Sequence, residues 1–74
     1  MKTVDIFKLF EINYPDTSKE IVSYGTINGA KDAIKMRDKK GHLYIFQYSG
    51  PDRWSLYYGA AAVDFERRIK NGRI

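Results

Sequence analysis

The sequence predicts a single small α+β domain over residues 1–74: two antiparallel β-hairpins forming one sheet, element order β-β-α-β-β-α, helices packed on one face. Three observations carry this. Two pairs of β-forming segments flank the turn-rich tetrapeptides PDTS at 15–18 and SGPD at 49–52. A lysine-rich stretch between them has helix-start signals before it and a glycine behind it. Near the end, AAAVDFERRIK spaces its apolar residues as a helix does.

Residues 3–14, TVDIFKLFEINY, are rich in β-branched and aromatic side chains, with Val4, Ile6, Phe10, Ile12 and Tyr14 on one alternating face. Lys8 interrupts that face and Phe7 and Leu9 fill the other, so a strand here is expected to be covered on both sides or bulged. A helix through Ile6, Leu9 and Phe10 is the second choice for this segment. KEIVSYG at 19–25 returns as the second strand, with Val22 and Tyr24 on one face. Thr26 and Asn28 are N-cap candidates ahead of AKDAIKMRDKK, whose stripe is Ile27, Ala30, Ala33 and Ile34. Gly41 stands where a C′ glycine ends a helix. HLYIFQY and RWSLYY make the second hairpin. In the last helix Ala62, Phe65 and Ile69 align, and Asn71-Gly72 stops it.

A chain of this length hides only about 60% of its unfolded surface on folding, so its stability margin is thin. It has no cysteine, which removes disulfides and Cys-ligated zinc and suits a reducing compartment. The longest apolar runs fall far short of the roughly 18–20 residues that span a bilayer, and MKTVDIFKLF lacks a secretory apolar core. A cytoplasmic protein with no membrane partner is expected.

The net charge is +4, and Arg67, Arg68, Lys70 and Arg73 crowd the last eight residues with no acid among them. Such a tail favours nucleic acid or an acidic protein surface. It also complements the dipole at a helix C-terminus.

Six of the eleven aromatic residues fall between Gly41 and Gly59. Alternation puts Leu43 and Ile45 on one side of the third strand and Tyr44, Phe46 and Tyr48 on the other. On the fourth strand Trp54, Leu56 and Tyr58 alternate with Arg53, Ser55 and Tyr57. Leu43, Ile45, Phe46, Trp54 and Leu56 suit a core. Tyr24, Tyr44, Tyr48, Tyr57 and Tyr58 cannot all be buried in so small a domain with their hydroxyls satisfied, so several should face solvent. Exposed tyrosines beside Lys39, Lys40 and Arg53 suit a protein hot spot, a single-strand stacking platform or a homodimer interface.

No enzyme, metal or cofactor pattern stands out. The one histidine, His42, has no spaced partner, and Asp64 and Glu66 are two apart on a helix and so diverge. Gly25 and Gly29 make neither a dinucleotide fingerprint nor a phosphate loop.

From Thr26 to Tyr57 the chain resembles the small phage anti-CRISPR proteins of β-β-α-β-β layout. The shared features are Thr26 before a helix, Ala30-Lys31 within it, a β-rich strand, and a hairpin leading to Trp54-x-x-Tyr57. The C-terminal helix lies outside that pattern. The resemblance implies a protein that blocks a nucleic-acid-handling complex by occupying its surface, with Lys31 at a matching binding position.

The function expected is therefore that of a non-enzymatic, phage-type binding protein, inhibiting a host defence or other nucleic-acid-processing complex. Tyr44, Tyr48, Arg53, Tyr57, Tyr58 and Lys31 are the expected contacts, with Lys39, Lys40, Arg67, Arg68 and Lys70 as electrostatic support. The partner would be a host protein or ribonucleoprotein. The alternative is a small basic DNA- or RNA-binding accessory protein.

Overall fold

The structure is a computed structural model that describes residues 2–30 and 32–72. In chain order it has α1 (Thr3–Asn13), α2 (Pro15–Ser18), β1 (Ile21–Thr26), β2 (Ala33–Asp38), β3 (Leu43–Gly50), β4 (Arg53–Tyr58) and α3 (Ala60–Lys70). The strands form one antiparallel sheet in the order β1-β2-β3-β4. The α+β class, the four-stranded antiparallel sheet, the β3–β4 hairpin and the last helix agree with the sequence reading. The element order does not.

Residues 3–13 are a helix, not the first strand. Ile6 and Phe10, one turn apart, are buried against Ile34, Met36 and Phe46, with Phe7, Leu9 and Tyr14 packed around them. β-branched residues cost a helix only a few tenths of a kcal/mol each. Burying Ile6 and Phe10 contributes about 2 kcal/mol apiece, so packing decides the segment. Lys8 and Glu11 then face solvent, where a strand would have forced Lys8 between two core residues. The PDTS turn winds into the single helical turn α2, with Pro15 in its first turn.

Residues 33–38 are a strand, not a helix. Ile34 and Met36 point to one face and are fully buried, while Ala33 is buried on the other and Lys35 and Arg37 stay exposed there. Ile27 and Ala30 belong to the β1–β2 connection and pack with Ala33 beneath α3. Gly41 does not end a helix. It closes a three-residue hairpin loop in which the Gly41 N–H donates to the Asp38 carbonyl at 3.0 Å and the Asp38 N–H donates to the His42 carbonyl at 3.2 Å. Its φ of 83° is the left-handed value such a loop needs. A helix stop and a hairpin bulge ask for the same residue.

The helices lie on opposite faces of the sheet, not on one. α1 covers β1, β2 and β3 on the side of Ile34, Met36 and Phe46. α3 covers β3 and β4 on the side of Leu43 and Ile45, through Ala62, Phe65 and Ile69. Coverage is thus diagonal. On the α1 face the side chains of β4 lie beyond the helix, and on the α3 face those of β1 do.

Candidate functional site

The register places Tyr44 opposite Tyr58, Phe46 opposite Leu56 and Tyr48 opposite Trp54, all on the α1 face. Phe46 is sealed under α1, whereas Tyr44, Tyr48, Trp54 and Leu56 are half-buried and Tyr58 is 67% exposed. The outcome is a row of aromatic and apolar side chains along the part of the sheet nearest its β4 margin. Tyr44 and Tyr58 approach with ring centroids 6.4 Å apart.

The margin itself is unpaired. The Gly59 N–H donates to the Leu43 carbonyl at 3.2 Å, so residue 59 turns its backbone groups toward β3. Direction alternates along an antiparallel strand, hence Tyr57 and Ser55 also face β3, and Trp54, Leu56 and Tyr58 point theirs outward. No strand lies beyond β4 among the described residues. The residues that carry the aromatic row therefore also carry the free donors and acceptors.

Of the contacts expected from the sequence, Tyr44, Tyr48 and Tyr58 share this surface. Arg53 and Tyr57 do not, because β4 sends them to the α3 face. Arg53 is exposed there, and Tyr57 lies half-buried against Phe65, ring centroids 4.7 Å apart. Lys31 lies outside the described residues. Lys39 and Lys40 are exposed in the β2–β3 loop, at the end of the sheet where Tyr44 and Tyr58 sit, and Lys39 Nζ is 3.7 Å from Glu20. Arg67 and Lys70 are exposed on α3 toward the opposite end, where Ile69 meets the β1–β2 connection near Gly29, and Arg68 pairs with Asp64 at 2.9 Å. The two basic groups do not join into one track.

Sequence reasoning expects Trp54 and Leu56 in the core; both do pack against the α1-side cluster, yet they are only half-buried and complete the open row. Their alternation with Tyr57 was the available signal. It also overlooked Asp38, 8% exposed at the end of β2. Its carboxylate accepts from the Lys40 and His42 backbone N–H groups at 2.9 and 2.8 Å, and from the Tyr44 hydroxyl at 3.2 Å, with His42 Nδ1 also at 3.2 Å. Burial pushes the Asp38 carboxyl up, but these donors and the His42 charge outweigh it and hold the group below the usual carboxylate range. Burial raises the Tyr44 hydroxyl, as do its bond to Asp38 and the charges of Asp38 and Glu20. The network fixes the loop and orients Tyr44 at the end of the aromatic row.

Among the described residues no group of three or more His, Cys, Asp or Glu side chains gathers to hold a metal ion. No described helix is long and apolar enough to cross a membrane. No protein-family model, characterised protein or solved structure matches the chain. The layout behind the anti-CRISPR resemblance has a helix where this chain has β2, so Ala30 lies in the β1–β2 connection and Thr26 ends β1.

Proposed function

We propose that this chain is a non-enzymatic binding protein whose working surface is the open margin of β4 and the aromatic row beside it, offered to a protein partner. The observation that carries the reading is the coincidence, on Trp54, Leu56 and Tyr58, of apolar side chains left open by α1 and backbone groups left unpaired by the sheet. Unpaired strand margins recruit extended protein segments, and aromatic side chains supply much of the contact energy at such interfaces.

The narrower reading is inhibition of a nucleic-acid-processing complex, in the manner of the small phage inhibitors the motifs resemble. It predicts that the protein held at this margin is a subunit of such a complex. Photo-cross-linking from a benzophenone side chain placed at position 58 tests both levels. A protein adduct that is lost in Leu56→Pro supports the docking surface, and its identity decides the narrower reading. No adduct rejects both.

Direct binding of DNA or RNA is the second reading, favoured by Arg67 and Lys70, exposed side by side on the outer face of α3. It predicts affinity for short oligonucleotides that falls steeply with salt and is abolished by Arg67→Glu with Lys70→Glu. Fluorescence anisotropy at low and physiological salt measures it.

A further inference from the structure

We propose that the partner at this margin is a second copy of the chain, joined β4 to β4 antiparallel about a two-fold axis through Leu56. The inference rests on the reading of that margin as a protein-docking surface, and it names the occupant.

The outward-facing residues are Trp54, Leu56 and Tyr58, and one antiparallel alignment satisfies all of them: Leu56 opposite Leu56 of the other copy, and Trp54 opposite Tyr58. Pairs of outward-facing residues exchange both backbone bonds, giving roughly six hydrogen bonds across the axis. On the α1 face the same alignment sets Trp54 of one copy beside Tyr58 of the other. The most exposed aromatic side chain of the sheet, Tyr58, is thereby covered, and the two aromatic rows become continuous.

The opposite face closes independently. Strands lie about 4.8 Å apart, so a helix lying over the β3–β4 seam stands about 4.8 Å from the axis and about 9.6 Å from its copy. Packed helices are roughly 8–10 Å apart. α3 contacts both β3 and β4, as this requires. Glu66 reaches Lys35 of β2 at 3.4 Å, so the flank of α3 bearing Ala61, Asp64 and Arg68 faces the β4 margin. Leu56 lies about 10 Å along the sheet from Gly59, a distance α3 covers in about six or seven residues, so the axis crosses the helix near residues 65 and 66. Asp64 and Arg68 straddle that point. The two-fold sets Asp64 of one helix against Arg68 of the other, and the charges are complementary.

The margins are also guarded unequally. β1, at the other side of the sheet, is interrupted by a bulge between Ile21 and Ser23. β4 has no bulge of its own, and its one charged residue, Arg53, stands at its first position outside the 54–58 stretch that would pair, whereas β1 has no charge and only its bulge to guard it. Strand margins meant to stay single are usually bulged, charged or covered. Repulsion between copies of net charge +4 makes the association tighter as salt rises.

Light scattering on the eluting protein should give twice 8.6 kDa at micromolar concentration. Tyr58→Lys, at an exposed position that leaves the fold intact by circular dichroism, should return it to one chain. Leu56→Cys should form an interchain disulfide on mild oxidation, because residues paired across the axis have Cα atoms about 5.5 Å apart, inside the roughly 4.4–6.8 Å that a disulfide spans. Arg53→Cys should not, since its copy lies about 20 Å away. A single-chain mass at every concentration overturns the inference, as does a dimer in which Arg53→Cys cross-links and Leu56→Cys does not. A single-chain mass together with an adduct from position 58 to another protein rejects self-pairing and leaves the docking surface standing. A single-chain mass with no adduct rejects both.

Discussion

Ile45 and Phe46 are neighbours in β3, both fully buried, and they belong to different cores. Ile45 faces α3 with Leu43 and Phe65, and Phe46 faces α1 with Phe10 and Ile34. The sheet thus separates two small clusters, and they should respond to mutation separately. Ile45→Val and Ile34→Val, on opposite faces, are each expected to cost about 1 kcal/mol. Their double variant should lose the sum within about 0.5 kcal/mol, since the two sites share no packing partner. Urea unfolding of the three variants measures this, and a clear departure from additivity would mean that the faces are coupled through the sheet.

Gly41 and Gly25 make opposite predictions for the same substitution. Gly41 has a φ of 83° in the β2–β3 loop, so although a Cβ would meet nothing, Gly41→Ala should cost about 1 kcal/mol through backbone strain. Gly25 in β1 also has open space around a Cβ, but no positive φ. Gly25→Ala should leave stability unchanged or raise it by up to about 1 kcal/mol, because the unfolded chain loses freedom. Thermal melts of the pair distinguish strain from space.

The same loop shows what the sequence could disclose. Asp38-Lys39-Lys40-Gly41 suits a hairpin as well as a helix end, and the N-cap candidates Thr26 and Asn28 with the stripe Ile27, Ala30, Ala33 and Ile34 point to a helix. The decisive fact is tertiary: Ile34 and Met36 need a second covered face, which α1 supplies. The helical fate of residues 3–13 is hidden for the same reason, since Ile6 and Phe10 match either period until their partners are known. Where one face of a helix is apolar and the other charged, as in α3, or where alternation runs between clear turns, as in β3 and β4, local pattern suffices. The open row was therefore half legible. Alternation sets Tyr44 with Tyr48 on β3 and Tyr58 apart from Tyr57 on β4, but the register joins the two sets on one face, and which tyrosines stay open depends on where α1 stops, which no residue of the hairpin records.

Asp38 makes stability depend on pH in a definite direction. Its folded-state carboxyl titrates below the ordinary value of 3.8, so the unfolded chain takes up the proton first as pH falls. The contribution is fully present above that ordinary value and is lost progressively as pH drops through the lower, folded-state one. Asp38→Asn keeps one acceptor oxygen for the loop N–H groups but has no charge to lose. The variant should be less stable than the wild type at neutral pH, and the gap should shrink below about pH 3.8. Thermal midpoints across that range measure it. A gap independent of pH would assign the role of Asp38 to shape and hydrogen bonding alone.

Tyr57 and Tyr58 are adjacent in β4 and should part company on mutation. The sequence makes both expected contacts. Tyr57 lies on the α3 face, half-buried against Phe65 with ring centroids 4.7 Å apart, so Tyr57→Ala opens space beneath α3 and should cost about 2 kcal/mol. Tyr58, 67% exposed on the other face, gives up little protein contact within one chain, so Tyr58→Ala should stay within about 0.5 kcal/mol. Chemical denaturation followed by Trp54 fluorescence, at dilutions where the mass is that of one chain, isolates the intrachain effect. The binding readouts should invert that order. Tyr58→Ala is expected to weaken self-association and the adduct at the β4 margin while stability holds, whereas Tyr57→Ala should weaken them only to the extent that it unfolds the chain. If Tyr58→Ala proves the more destabilising of the two in the single chain, the aromatic row is structural, and the β4 margin loses its claim as a docking surface.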